Sequence, residues 1–423
     1  MTIRNFDQFQ TAKVITEFFT PSTQIESIER LKGRDDELKR IERALPSKGR
    51  HVFVYGDRGV GKTSIAMTAG HLHNDSHHSP LYVVCGENMS FFDVVTAIAH
   101  SVIPLEERIE RQKHTGSLGM TLPSGLGGNF SGSTESYTES PRPKNINDCL
   151  DIIRYVDSKR DGQTIIIIDE IDRIKDQKEK VYLAEFLKSV PAIGCDAKLI
   201  FCGIGANVEE MIGAHQSVGR YFEAISVNKL GLDPLYDIIR DAADAFDVNI
   251  PDLMLRRVGM VSDQFPHFVH LLGESLFWAM FEDANDVSEA RQEHYDLAIK
   301  GALQRAEADL QLSYQKATEK TRNTLDYEEV LWALADKSDS RRQSTEFYES
   351  SYLKIMERRP DRPVLTKSSF DQRLHNLKSD RHGEVIRNHL GGWFSFRENV
   401  FRGYVRLMAE SKGVSLRQDI AVV

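Results

Sequence analysis

Along the chain, solid apolar runs alternate with longer stretches in which apolar residues recur every third or fourth position. Val52–Tyr55, Leu81–Cys85, Thr164–Glu170 and Lys198–Ile204 are of the first kind, and Phe222–Val227 reads as a last strand. Such runs predict strands buried on both faces, as in a parallel sheet, and the isoleucines of TIIIIDE are the plainest case. Helical periodicity fills the intervals. Leu38, Ile41 and Leu45 share a face before the first strand, and an amphipathic helix after Cys85 runs to about Ile109. From Asp233 the strands stop. Leu235–Phe246, Met254–Val261 and Phe268–Phe281 predict a small helical lid, and a long two-faced connector helix is expected near Val287–Lys316.

Both ends of the chain differ from this middle. Phe6, Phe9, Val14, Phe18 and Phe19 fall on one helical face, which either packs on the body or serves a partner, and Pro21 ends the pattern. Near the C-terminus, helices are expected at Tyr327–Ala335, Ser344–Met356 and Lys367–Leu377. Two short strands follow, His382–Arg387 and Gly391–Phe396, then a helix from Asn399 to Glu410. Three helices followed by a β-ribbon is the order of a winged helix. Residues 114–145, rich in Gly, Ser, Thr and Pro, read as an inserted mobile loop or small hairpin.

The stretch after the first strand carries the sharpest chemistry. Gly56-Asp57-Arg58-Gly59-Val60-Gly61-Lys62-Thr63, followed by Ser64, fits the phosphate-binding pattern G-x-x-x-x-G-K-[ST] throughout. Its glycines let backbone N–H groups approach an anion at a helix start, Lys62 can reach terminal phosphates, and the Thr63 hydroxyl is placed for Mg2+. TIIIIDE ends in Asp169-Glu170, two carboxylates at the carboxyl edge of the sheet, where ligands of open α/β folds bind. Asp169 can complete the metal shell and Glu170 can activate a water. Lys198–Ile204 should lie between the two motif-bearing strands. A polar residue expected at its tip is missing, since the chain reads Gly203-Ile204-Gly205 with only Asn207 beyond.

Composition narrows the setting. A formal net charge of −9 excludes wholesale coating of nucleic acid, although residues 317–423 are slightly basic, roughly +3, against about −12 elsewhere. Cys85, Cys149, Cys195 and Cys202 show no metal or disulfide spacing and read as core residues of a reducing compartment. Neither a membrane span nor a signal-peptide core is visible, so a cytoplasmic protein is expected.

Further candidates depend on context. Arg34, in GRDDE ahead of the first strand, is a nucleotide candidate, with Ile25 and Leu31 as apolar contacts for a base; a plain capped surface helix is the other reading. Arg220 sits at the sheet's rim, either as a finger into a neighbouring subunit's nucleotide or paired locally. Pro266-His267 opens the lid's central helix, where His267 either senses phosphate or simply packs. Arg373, His375, Lys378, Arg381 and Arg387 fall on the winged helix's third helix and wing. These positions meet DNA in some winged helices, while others dock proteins.

The order GRDDEL, GDRGVGKTS, IIIIDE, an arginine-bearing rim, a lid and a winged helix resembles an AAA+ ATPase, most of all the clade of origin-recognition ATPases. Bacterial relatives of that clade include transposon target-selection and anti-phage ATPases. The resemblance implies an α/β P-loop sheet with a helical lid and an α+β winged-helix domain. Its expected division is an arm at 1–30, the nucleotide-binding domain at 31–230, the lid at 231–316 and the winged helix at 317–423. It implies ATP and Mg2+ as cofactors, Lys62 and Thr63 at phosphate and metal, Asp169 at metal, Glu170 as hydrolytic base and Arg220 acting in trans. A homo-oligomeric switch on DNA is thereby expected, or a defence or signalling ATPase docking a protein effector, with no membrane partner. The bare tip at Gly203 and a lid histidine replacing the usual arginine imply slow turnover.

Overall fold

The computed structural model describes residues 3, 6–74, 78–103, 143–205, 219–318 and 324–416. Most of the expected insertion at 114–145, the helix end near Ile109, Asn207 and residues 215–218 lie outside the described residues. The chain divides into two compact units. One comprises residues 36–55 and 65–226, the other residues 1–35, 56–64 and 227–423.

The first unit is built on β1 (His51–Gly56), β2 (Leu81–Val84), β3 (Ile165–Asp169), β4 (Lys198–Gly203) and β5 (Phe222–Val227), in the order β2-β3-β4-β1-β5. β2 pairs with β3, β3 with β4 and β4 with β1, all in parallel. Ile165 to Ile168 are at most 2% exposed, so both faces of β3 are covered. Each of these buried isoleucines contributes about 2 kcal/mol. β4 lies between the two motif-bearing strands, and β1 and β3 therefore end at one edge with a single strand between them.

Helices dominate the second unit: Leu232–Phe246, Asp252–Val261, Pro266–Phe281, Gln292–Arg305 and Ala308–Thr318. The expected connector near Val287–Lys316 is two helices. Ala306 between them is extended, with ψ 152°, and the first helix packs along Pro266–Phe281 instead of bridging open space. An N-terminal helix, Gln8–Phe18, is held by a reciprocal cap in which Asp7 Oδ1 accepts from Gln10 N at 2.8 Å. Its buried stripe is Thr11, Ile15 and the following Phe19; Phe9, expected on that stripe, is 80% exposed. Phe19 packs on Phe277 and Phe6 on Phe246, so the arm lies on the lid helices.

The C-terminal part of this unit holds helix Thr324–Ala335, then Ser344–Phe347 and Leu353–Glu357 joined by a π-turn, and helix Lys367–Leu377. β7 (Ile386–His389) and β8 (Trp393–Phe396) form the hairpin. β6 (Arg342–Gln343) adds a third antiparallel strand, giving the order β6-β8-β7. Helices and sheet are compatible with a winged helix, closed by helix Asn399–Ser411. The hairpin starts later than its sequence pattern suggests. His382 is buried in a turn, stacked on Tyr327 with its ring Nδ1 at 2.9 Å from the Ala317 carbonyl, so pairing begins only at Ile386.

Candidate nucleotide site

β1 runs directly into the phosphate-binding loop. A Cβ at Gly56 would lie 2.3 Å from the Val227 carbonyl oxygen, and Gly61 has φ +94° with open space around it. One glycine is thus required by close approach and the other by backbone conformation alone. Lys62 and Thr63 open helix Lys62–Leu72, whose first N–H groups have no helical partner. The Lys62 ammonium donates to the Asp57 carbonyl at 2.8 Å.

Around this loop the second unit gathers several of the expected residues. Arg34 is 4% exposed and donates from Nη2 to the carbonyls of Val60 and Asn228, each at 2.8 Å. It therefore braces the loop through its backbone. Ser64 Oγ accepts from Ile25 N at 3.2 Å, which brings Ile25 beside the loop's helix. Arg58 is ion-paired with Glu307, at the break between the two helices after the lid. His267, next to Pro266 at the start of its helix, has Nε2 3.9 Å from the same carboxylate. Burial holds the His267 pKa below its ordinary value, against the pull of Glu307.

In the sheet-bearing unit, Asp169 closes β3 at 6% exposure. Its Oδ1 accepts from Glu170 N at 2.8 Å and its Oδ2 from the Tyr82 hydroxyl at 3.0 Å. Tyr82, on the neighbouring strand, was not legible as a site residue, because nothing in a short apolar run marks one hydroxyl as a ligand's partner. Glu170 adopts φ 55°, ψ 37°, an uncommon conformation for a residue with a side chain, and its Oε2 meets Arg173 Nε at 2.8 Å. At the end of β4, Ile204 N donates to Asp172 Oδ1 at 2.8 Å, and the described tip carries no polar side chain. Arg220 lies in a short turn before β5, over the ring of Tyr221 at 5.1 Å, and meets no carboxylate among the described residues.

The residues expected at DNA separate into two groups. Arg373 turns inward. Its Nη2 donates to Asp326 Oδ2 at 3.1 Å and its guanidinium lies over Tyr327, so it is occupied within the fold. Arg381 and Arg387 are exposed and Lys378 half-buried. The hairpin tip adds what the sequence reading missed. Leu390 is 98% and Trp393 43% exposed, and together with Arg341, Asn388 and His389 they line an open hollow of about 720 Å³.

No helix among the described residues is long and apolar enough to cross a membrane. No group of three or more His, Cys, Asp or Glu that could hold a metal ion occurs among them, and all four cysteines are free.

Residues 30–200 match the family described as the AAA ATPase domain. No curated protein matches the chain in sequence. Among solved structures, the chain is similar to a Walker-type ATPase of Pyrococcus abyssi, at 15% identity and a TM-score of 0.51, covering 91% of this chain and 99% of the other. It is also similar to the Orc1 protein of Aeropyrum pernix, solved in complex with DNA, at 17% identity, TM-score 0.43 and coverage of 90% and 93%. Cdc6p of Pyrobaculum aerophilum is similar at 14% identity, TM-score 0.46 and coverage of 93% and 97%. Identities this low speak to fold alone. The phosphate-binding loop and the acid-tipped strand β3 both lie inside the matched segment, and residues 30–200 form an AAA ATPase domain.

Proposed function

We propose that the chain is an ATP-controlled switch of the origin-recognition type that binds ATP with Mg2+, hydrolyses it slowly, assembles with further copies of itself, and contacts DNA through its C-terminal wing. The observation that carries the reading is the strand order β3-β4-β1, which brings both motif-bearing strands to one sheet edge. Lys62 and the N–H groups of residues 56–64 bind phosphate oxygens. The Thr63 hydroxyl and the Asp169 carboxylate are hard oxygen donors of the kind Mg2+ takes, and Asp169 is already oriented by two hydrogen bonds. Mg2+ held by Thr63 and Asp169 would supply positive charge to offset that of the phosphates. Glu170 orients and deprotonates the attacking water. Three features favour slow turnover: the Glu170–Arg173 pair, the apolar tip of β4, and a lid histidine with a lowered pKa.

Arg220, exposed and lying over its neighbouring tyrosine, suits a finger that acts in trans, which requires assembly. Lys378, Arg381 and Arg387 supply phosphate contacts, and the Leu390–Trp393 tip supplies an apolar edge for a groove. The test is binding of a slowly hydrolysed ATP analogue together with phosphate release. Lys62→Ala should lose binding, whereas Glu170→Gln should bind and fail to release phosphate. Unchanged affinity in Lys62→Ala removes the reading. DNA affinity that neither responds to ATP nor falls with salt removes its DNA half and favours a protein partner at the wing.

A further inference from the structure

The phosphate-binding loop is touched by a residue from the far end of the chain. Asn399, the first residue of the final helix, donates from Nδ2 to Asp57 Oδ2 at 2.8 Å. The main-chain carbonyl of the same Asp57 receives the Lys62 ammonium. One residue thus joins the winged-helix segment to the lysine on which phosphate binding depends. The next residue of that final helix, Val400, is 1% exposed, and its Cγ2 lies 3.4 Å from where a Cβ on Gly59 would stand.

Asn399 reaches the loop from a fixed platform. Three residues on, Arg402 Nε donates to Asp263 Oδ2 at 2.7 Å; one turn later Arg406 Nη1 donates to Asp263 Oδ1 at 2.6 Å. Both arginines are at most 4% exposed, and Arg406 also donates from Nε to the Ala335 carbonyl at 2.7 Å. A helix pinned by two buried guanidinium groups on one buried carboxylate cannot drift along its axis without breaking them. Its first residue is therefore held in place, and the Asp57 carboxylate is held with it.

We propose that Asn399 is a positioning residue for ATP binding: by fixing Asp57 it sets the carbonyl that aims Lys62, so that the winged-helix segment determines the loop's grip on the triphosphate. The proposal rests on the nucleotide-binding reading of Lys62. Turning the Asp57 peptide plane displaces the Lys62 ammonium bound to its carbonyl, and misplacement of a charged contact by about 1 Å is enough to cost two orders of magnitude in a preorganised site. The coupling is reciprocal. Triphosphate that shifts Asp57 must act on the final helix with the same free energy.

The experiment is a charge-exchange cycle on the full chain, read by titration with a slowly hydrolysed ATP analogue and Mg2+, and by KM and kcat for ATP. Asn399→Asp places two carboxylates face to face and should raise Kd about tenfold, with KM rising in step and kcat changing less than about threefold. Asn399→Ala should raise Kd about fivefold. Asp57→Asn combined with Asn399→Asp restores an amide–carboxylate pair and should return Kd to within about twofold of the wild type. A change that merely destabilised the fold would lower the active fraction, and hence kcat, without this reciprocal rescue. Lys62→Ala is the control. If it loses binding while both Asn399 variants keep the wild-type Kd, the inference fails and the nucleotide reading stands. If Lys62→Ala keeps its affinity, both fail.

Discussion

Tyr82 and Asp169 are joined across adjacent parallel strands, the phenol donating to the carboxylate Oδ2 at 3.0 Å. Burial and then the Asp169 charge push the tyrosine's pKa well above its ordinary value, which favours the protonated hydroxyl that donates here. With one oxygen engaged by Tyr82 and the other by Glu170 N, the carboxylate has a single orientation. If Asp169 holds Mg2+ as proposed, Tyr82→Phe is expected to lower Mg2+ affinity in the ATP complex about tenfold, as loss of an outer partner of a metal ligand does. Titration of phosphate release against Mg2+ measures it, and recovery of full rate at saturating metal is the expected signature.

Under the proposed hydrolysis, the pairing of Glu170 with Arg173 would restrain turnover. Both are 42% exposed, which places their bond among pairs of about 0.2–1 kcal/mol. Arg173→Ala is therefore expected to raise basal phosphate release about two- to fivefold by freeing the carboxylate for water. A fall in rate would mean that the arginine orients the base instead of restraining it.

The lid turn and the final helix meet at a buried charge cluster. Burial alone would raise the Asp263 pKa, but Arg406, Arg402 and Lys229 outweigh it and hold the carboxyl down to about 2. A carboxylate depressed in the folded state contributes stability in full above its unfolded pKa and loses it as pH falls through the folded value. The Asp263 contribution is thus complete above about pH 4 and declines toward pH 2. Asp263→Asn strands two buried guanidinium groups and is expected to cost about 3–5 kcal/mol, seen as a lower midpoint in denaturant at pH 7. Its stability should also fall less steeply between pH 4 and pH 2.

Arg387 and Arg373 should behave differently although sequence pattern groups them. Arg387→Ala is expected to weaken DNA binding evenly across sequences and to reduce the slope of log affinity against log salt by about 1. Arg373→Ala breaks a bond to Asp326 and should lower stability while leaving that slope unchanged. Identical effects on DNA from both variants would show that the wing is not the contacting surface.

Why some of this was legible follows from the range of the forces involved. β1, β3 and β4 announce themselves because a strand covered on both faces is apolar along nearly its whole length, and residues 56–63 because phosphate binding by backbone demands glycines at fixed spacing. The helix Lys367–Leu377 starts and stops where its Thr366 cap and its apolar period say it should. What was hidden depends on partners distant in sequence. Arg373 reads as a surface cation until Asp326 is placed beside it, and Asn399 means nothing until Asp57 is folded against it. β6 has two residues, too few for any period to show, and the break at Ala306 is a change of one ψ angle in an otherwise helical pattern. Glu170 gives no sign in its side chain of the left-handed backbone it occupies.

Gly273 stands in the middle of helix Pro266–Phe281, and a Cβ there would fall 2.1 Å from the Phe19 ring. The arm around Phe19 is thus seated in a notch that only glycine leaves open. Proteolytic trimming behind Thr20 would uncover Phe277 and Phe246, the rings on which Phe19 and Phe6 pack. A bulkier side chain at 273 would evict the arm without touching it in sequence.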